Sequence, residues 1–394
     1  MRKHRRCCLI ISLFVFLLDG VYQPAWADST PTPAQLMKQI SARWRPRYPK
    51  DDWNMANAQA WARDACHKSE SLPLPQTDLP TMTDLPKLKG CDSTPLYYGY
   101  TTKPDYVQAR QCAYFERGTG GGEIIGGSAI LTMIYANGFG VPRNLPLAIK
   151  FACEAGGAPA EIEGRISDLN HLQNNQPSSN QRPYDFCDDT TSGYMQGACE
   201  GITTDADKAK RQAQVDTLTK TYSPEQKKAL TALQRAAKAY FKAHADNEVD
   251  LSGTDRGMVS LEDQDGNEDT FIADLQSLES NKIPGVSATQ FARVDAHLNA
   301  VYQHVLANPA FKLYPGSTPD DPMSNMGTIT PDGIRADQRL WLAYRNAWVH
   351  FAALRRPDIT RSSLMAWITN QRIEDLRTLL PSTDPDYRQP EGEH

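Results

Sequence analysis

Two stretches near the end of the chain place polar side chains beside apolar ones at helical spacing. Asp295 and Asn299 are four residues apart in the first, and Gln338 and Arg345 are seven apart in the second. Apolar residues recur beside them at steps of three and four, as in amphipathic helices. An acid, an amide and a guanidinium at such a seam must pair, because unpaired burial is costly. The pattern predicts a two-helix hairpin pinned by one ion pair.

The whole pattern is more specific than its parts. It reads Asp-x-x-Leu-Asn-x-x-Tyr from Asp295, Arg-x-x-Gln-x-x-Trp-x-x-x-Arg from Arg335, and Thr-x-x-Arg-x-x-x-Leu from Thr369. Over residues 287–380 this resembles the LprI-type lysozyme-inhibitor family. The resemblance implies a helical domain that binds a protein. It also implies six residues that contact the partner or clamp the fold: Asp295, Asn299, Tyr302, Gln338, Trp341 and Arg345.

The chain departs from the family pattern in its cysteines. Members commonly join the two helices by a disulfide, with one cysteine before the first motif and one just after the arginine of the second. No cysteine follows Cys199 in this chain, and Val349 stands about where the second would be expected. The resemblance therefore implies a hairpin that holds by packing alone.

An acidic stretch in the second half imitates a calcium loop. Its oxygens fall at loop positions one, three, five, seven and twelve, from Asp263, Asp265, Asn267, Asp269 and Asp274. Glycine stands at position four rather than six, however, and the last acid is the shorter Asp. The sequence favours an acidic surface turn before a helix over 270–279, and calcium binding is the alternative.

A polar run over 244–256 follows a long helical segment. It is interpreted as an internal charge network with Arg256 as its cation, and a binding surface is the alternative. The acids between 246 and 274 also allow a rival function, a cell-wall hydrolase that uses paired carboxylates.

No pattern in the chain predicts catalysis. Histidines never occur at the i,i+4 spacing of a helical metal site, and no nucleophile motif is present. The glycine-rich run over 118–127 lacks the lysine and the preceding strand of a phosphate-binding loop. We therefore predict no catalytic residue, no metal site and no cofactor.

The first 27 residues have the composition of a secretory signal peptide. A basic start is followed by an apolar run and by Ala25-Trp-Ala27, a typical cleavage site. The whole chain has a net charge of −5, and its remainder from Asp28 has 38 basic and 46 acidic residues. This balance argues against nucleic acid and anionic membrane as partners, and it suits a basic protein. We expect a periplasmic or secreted protein with no membrane insertion after cleavage.

Six cysteines follow the signal segment, and all of them precede residue 200. An even number in an exported chain predicts three disulfides. Cys187 and Cys199 enclose a short loop, and we expect them to pair. The first half is thus predicted to be cross-linked and the second half not.

The first half also contains a repeat. Tyr-Gly at Tyr98–Gly99 and Asn-Gly at Asn137–Gly138 are offset by 39 residues, as are Asp105 and Asn144, and Ala109 and Ala148. A glycine turn, a helix-starting Asp or Asn and a small residue in the next helix are typical of a helical solenoid. The segment from Tyr135 to Ala148 resembles a Sel-one-like repeat, a relative of the tetratricopeptide unit. We assign residues 28–205 to this region, which either binds a protein or serves as a spacer.

From Ser223 the sequence changes to long helices. Ser223, Pro224 and Gln226 form a capping box that starts one of them. We expect an LprI-like helical domain over 220–380 and a disordered tail over 381–394. The predicted fold is all-α, with a short disulfide-linked solenoid followed by an antiparallel helical bundle or hairpin. The predicted function is binding of lysozyme or another envelope protein; the alternatives are the hydrolase and a structural adapter that uses the repeat face.

Overall fold

The computed structural model describes residues 32–41, 53–100, 102–120, 124–174, 182–318 and 324–386. Within these residues the structure is helical and contains no β-strand, which confirms the all-α prediction. The predicted signal segment lies outside the described residues, and so do the last eight residues of the chain. None of the described helices is both long and apolar enough to cross a membrane.

Helices follow one another along the whole described chain. In the first half they are α1 (Pro33–Ser41), α2 (Trp53–Asn57), α3 (Ala60–Glu70), α4 (Leu85–Leu88), α5 (Ser93–Tyr98), α6 (Tyr106–Thr119), α7 (Ser128–Asn137), α8 (Leu145–Ala155) and α9 (Pro159–Asn174). Then follow α10 (Gly193–Leu218), α11 (Pro224–Asn247), α12 (Arg256–Glu279), α13 (Ala288–Leu306), α14 (Pro331–Arg355) and α15 (Arg361–Thr378). Short 3-10 helices lie at Gln76–Asp78, Phe186–Asp189, Thr219–Thr221 and Pro309–Phe311.

The helix pairs α5–α6 and α7–α8 share one local geometry. Gly99 and Gly138 end the first helix of each pair with φ near +72°, a conformation that L side chains rarely adopt. Asp105 and Asn144 start the second helix, and their backbone N–H groups donate to equivalent carbonyls of the preceding helix, each at 2.9 Å. The 39-residue repeat of the sequence is therefore also a repeat of backbone structure. Its identity as a Sel-one-like repeat stays a prediction.

Three disulfides cross-link the first half. Cys187–Cys199 forms as predicted, and the other pairs are Cys66–Cys153 and Cys91–Cys112. Cys66–Cys153 joins α3 to α8 across 87 residues of sequence. These bonds surround an apolar core in which Tyr114, Tyr135 and Phe151 are fully buried.

A second core fills the other half of the molecule. Helices α11 and α14 pack along each other, and α13 packs along α15. The aromatic side chains of Tyr344, Trp348 and Phe351 lie at the centre, where Trp348 is fully buried. Ser223 caps α11 with the predicted capping box and with Pro224 at the first position.

Helix α10 connects the two cores. Met195 near its start packs in the first core, and Val215 near its end packs in the second. The helix lies along α12, and it begins so close to the loop before α12 that only glycine fits at its first position. A Cβ atom on Gly193 would lie 1.8 Å from the carbonyl oxygen of Thr254.

Candidate functional site

Helices α13 and α14 carry the six residues singled out in the sequence. Ser287 caps α13 with a capping box, and Thr330 caps α14 with Pro331 at its first position. We expected these helices to form a hairpin. In the structure α13 packs chiefly along α15, and α14 along α11, so the two helices flank a groove instead of packing face to face.

This groove has a volume of about 390 Å³. Its lining comes from α13 and α14 alone: Asp295, Leu298, Asn299, Tyr302, Arg335, Gln338, Arg339, Leu342 and Arg345. Five of the six predicted residues therefore meet at one surface depression. The sixth, Trp341, is buried with 1% exposure and does not line the groove.

Arg345 lies at the floor of the groove and holds its two walls together. Its Nη1 donates to Asp295 Oδ1 at 3.0 Å and to Thr369 Oγ1 at 3.1 Å. The guanidinium carbon lies 4.7 Å from the centre of the Trp341 ring, a cation–π distance. The predicted ion pair is therefore present. It is not a core pair, because the side chain of Asp295 is 39% exposed.

The other polar residues of the groove differ in what they contact. Asn299 donates its Nδ2 to the backbone carbonyl of Asp295 at 2.9 Å, within its own helix. Arg335 donates to Asp332 at 2.7 Å on the exposed side of α14. Among the described residues Arg339 makes no hydrogen bond or ion pair, and beside it Leu342 is 38% exposed. Arg339 and Leu342 thus offer one cation and one apolar side chain to a partner.

Gln338 links the groove to a buried charge cluster beneath it. Its Oε1 accepts a hydrogen bond from Arg372 Nε at 2.9 Å. Arg372 is fully buried on α15, and its two Nη atoms donate to both carboxylate oxygens of Glu248 at 2.7 and 2.8 Å. Asp337 Oδ2 lies 3.2 Å from Arg372 Nη2. The bidentate contact between Arg372 and Glu248 fixes the relative orientation of the two side chains and also pairs their charges.

The buried cluster strongly shifts the ionisation of its members. Burial, followed by the negative charge of Glu248, raises the pKa of Asp337 to about 8. Burial would also raise the pKa of Glu248, but the Arg372 guanidinium holds it below its usual value. Burial opposes protonation of His244, yet the charge of Asp263 and its 2.9 Å hydrogen bond raise the His244 pKa to about 10. The cluster therefore retains protons that an unfolded chain would release.

The charge network at the end of α11 was predicted, but with the wrong cation. Arg256 is exposed at the start of α12, whereas Arg372 is the guanidinium that reaches Glu248. Glu248 and Asp337 were not singled out as members of a buried pair. The one available sequence signal was the arginine of the third motif, which is Arg372.

The acidic stretch over 263–274 is helical in the structure, because α12 runs from Arg256 to Glu279. The predicted surface turn is therefore wrong, and the loop geometry that calcium needs is not formed. Arg211 of α10 pairs with three of the acids, Asp265, Glu268 and Asp269. This cation offsets the repulsion that would otherwise oppose a helix here.

Two further acids of this stretch, Asp263 and Asp274, have partners from other helices. Asp263 bonds His244, and Asp274 accepts two hydrogen bonds from Gln371 Nε2 at 2.9 and 3.1 Å. Burial raises the pKa of Asp274 to about 7, but its side chain lines neither the groove nor the cavity beside Tyr100. The condition for the hydrolase alternative, two acids that converge in a pocket, is not met in these cavities.

Comparison with known proteins gave one family match. Comparisons with curated proteins and with solved structures found no match for the chain. The family match covers the end of α12, all of α13 and α14 and most of α15, and so includes the whole groove. It confirms the resemblance that the three motifs indicated. Residues 273–376 match the model of the family described as Lysozyme inhibitor LprI.

Proposed function

We propose that this protein is an exported binding protein that engages a protein partner through the groove between α13 and α14, with lysozyme as the first partner to test. The observation that carries the proposal is the coincidence of two findings. The family match spans the groove, and five of the six motif residues line it. The proposed role is binding and not catalysis.

The chemistry of the groove supports contact with a protein surface. Arg339 is a cation that needs an acceptor, and Leu342 is an apolar side chain at the same rim. Arginine beside an exposed apolar residue is a common composition for the centre of an interface. Arg345, Gln338 and Trp341 support this rim from below, so we assign them to holding the groove in shape.

Export is supported by the disulfides. Three cross-links in a chain of this size are typical of oxidising compartments. The acidic balance of the chain also suits a basic partner such as a lysozyme.

The adapter alternative has no specific support. Large exposed apolar residues occur on the first half, as at Val107 and Tyr194, and also on the second, as at Leu342 and Tyr314. The repeat face is therefore not distinguished from the helical domain by apolar exposure.

The test is a titration of the purified, oxidised protein against lysozymes of several classes, with binding and cell-wall lysis measured in parallel. We expect saturable binding to at least one class. Arg339→Glu should weaken that binding at least about tenfold, because a central interface arginine is commonly worth more than about 1.4 kcal/mol. Binding to no class of lysozyme would refute lysozyme as the partner.

The matched control is Arg293→Glu, which makes the same charge change at an exposed position of α13 outside the groove. It should leave affinity nearly unchanged. Equal losses for Arg339→Glu and Arg293→Glu would show that net charge governs binding and that the groove does not.

A further inference from the structure

Three metal-binding side chains meet at the carboxyl end of α13. They are His304 of that helix and Asp384 and Asp386 of the turn that follows α15. His304 Nε2 lies 3.1 Å from Asp384 Oδ2, and one ligand atom from each of the three residues lies within 4.8 Å of the others. Residues about 80 positions apart in the sequence thus converge on one point.

The turn over 381–386 is held by a hydrogen bond of its own backbone and by the side chain of Arg377. The N–H of Asp384 donates to the carbonyl of Pro381 at 2.8 Å. Arg377 Nε donates to the backbone carbonyl of Asp386 at 2.7 Å, and its Nη2 donates to one carboxylate oxygen at 3.2 Å. The second carboxylate oxygen of Asp386 makes no hydrogen bond within the described residues.

The accessibility of the three side chains suits an open metal site. His304 and Asp386 are each 49% exposed, and Asp384 is 14% exposed. Solvent can therefore reach the cluster and supply water to complete the coordination of an ion. The two carboxylates exceed in charge the guanidinium of Arg377 beside them, and a divalent cation would offset the remaining negative charge.

We propose that His304, Asp384 and Asp386 bind a divalent transition-metal ion of the zinc type. One imidazole nitrogen and two carboxylate oxygens form a donor set that suits zinc and its first-row neighbours. Calcium and magnesium favour ligand sets made of oxygen alone. Zinc binds such ligands at about 2.0–2.2 Å. His304 Nε2 and Asp384 Oδ2 are 3.1 Å apart, a separation that two ligands of one zinc ion can have, and the ligand atom of Asp386 lies within 4.8 Å of both.

The site joins the carboxyl end of α13 to the turn after α15. His304 lies two residues beyond Tyr302, which lines the groove, so the ion would fix the wall of the groove at that end. The proposal does not depend on the identity of the groove's partner. Histidine spacing within one helix does not reveal this cluster, because its acids come from a distant turn.

The test is isothermal titration of the purified full chain, freed of metal, with zinc chloride. We expect one zinc per chain at this site. His304→Ala should remove that binding event or weaken it at least about tenfold, since loss even of a supporting group typically costs about 10–100-fold. Asp384→Asn should weaken it as well. His304 is exposed and Asp384 is half-buried in a turn, and circular dichroism will report whether each variant keeps its helices.

Two controls make the assignment specific. His297→Ala removes an exposed histidine two turns earlier on α13, and Asp358→Asn removes an exposed carboxylate that pairs with Arg356. Both should leave zinc binding unchanged. The proposal is overturned if wild-type protein binds no zinc, if His304→Ala binds it as well as wild type, or if calcium competes equally with zinc.

Discussion

Two helices far apart in sequence are joined by a disulfide in the first half of the molecule, and two others by a buried ion pair in the second. In the first half Cys66–Cys153 links α3 to α8 by a covalent bond. In the second half, where the described residues contain no disulfide, Arg372 links α15 to Glu248 at the end of α11 across 124 residues. A disulfide holds at any pH and fails on reduction, whereas a buried ion cluster is indifferent to reductant and depends on protonation. The halves should therefore respond to opposite treatments.

Removing the central cation should have the largest effect. Arg372→Ala leaves Glu248 buried without its partner and deprives Asp337 of the same guanidinium. We expect a loss of about 5 kcal/mol in the free energy of unfolding, the upper end for a broken buried pair. Hydrogen exchange followed by mass spectrometry should show the loss in peptides of α11, α14 and α15. Arg335→Ala, which removes an exposed pair, is the control and should change little.

Removing the longest cross-link should have a slightly smaller effect, confined to the first half. Replacing Cys66 and Cys153 by alanine frees a loop of 87 residues, for which chain entropy gives about 4.6 kcal/mol. The same change at Cys187 and Cys199 frees a short loop and should cost about 3 kcal/mol. If either double variant increased hydrogen exchange in α14 as much as in α8, the stability of the second half would depend on the disulfides of the first.

A change of pH should separate the halves without any mutation. Asp337 and His244 have pKa values of about 8 and 10 in the folded protein, against about 4 and 6.5 in an unfolded chain. Between about pH 6.5 and 8 the folded state thus holds nearly two more protons than the unfolded chain, and the second half should lose stability as pH rises, by about 3 kcal/mol. In the first half burial raises the pKa of Asp189 only to about 6, below this window.

Asp337→Asn is the variant that tests the cause of this pH dependence. An amide resembles the protonated carboxyl in both the folded and the unfolded chain, so the variant should match wild type near pH 4 and exceed it in stability by a margin that grows up to about pH 8. Urea unfolding at a series of pH values would measure both. A pH profile as steep as that of wild type would show that Asp337 is not the titrating group.

The smallest effect on stability is expected at the groove. Arg345→Ala removes the bond to Asp295, but water reaches that carboxylate, so the cost should be about 1–2 kcal/mol rather than that of a core pair. Urea unfolding of the Arg345→Ala and Arg372→Ala variants under the same conditions would compare their free energies of unfolding. If Arg345→Ala and Arg372→Ala lowered the free energy of unfolding equally, Arg345 would contribute as much to the core as Arg372.

The sequence predicted local features well, because short-range chemistry determines them. The cap at Ser223 and the short disulfide Cys187–Cys199 are both present. The pair of Asp295 and Arg345 is also present, but these residues are 50 positions apart and their pairing was predicted from the motif pattern. Helical spacing placed the groove residues on one face, but it could not tell that Trp341 turns inward while Arg339 turns outward.

The errors arose where long-range contacts decide the outcome. The stretch around Asp265 has the composition of a turn, and it is a helix because Arg211 neutralises it from another helix. Arg256 was expected to serve as the cation of the network because it is near in sequence, yet the partner of Glu248 comes from the far end of the domain. Likewise α13 follows the chain into α14 but packs along α15. A single sequence gives no direct measure of such distant contacts.

Because α10 is one continuous helix between the two cores, its length determines how one half of the molecule is rotated about the helix axis relative to the other. An α-helix turns by about 100° per residue, so one residue inserted between Met195 and Val215 would rotate the second core against the first by that angle. It would also carry Arg211 away from the acids of α12. An insertion near a whole turn would restore the phase. The length of this 26-residue helix therefore determines the orientation of the repeat half relative to the groove.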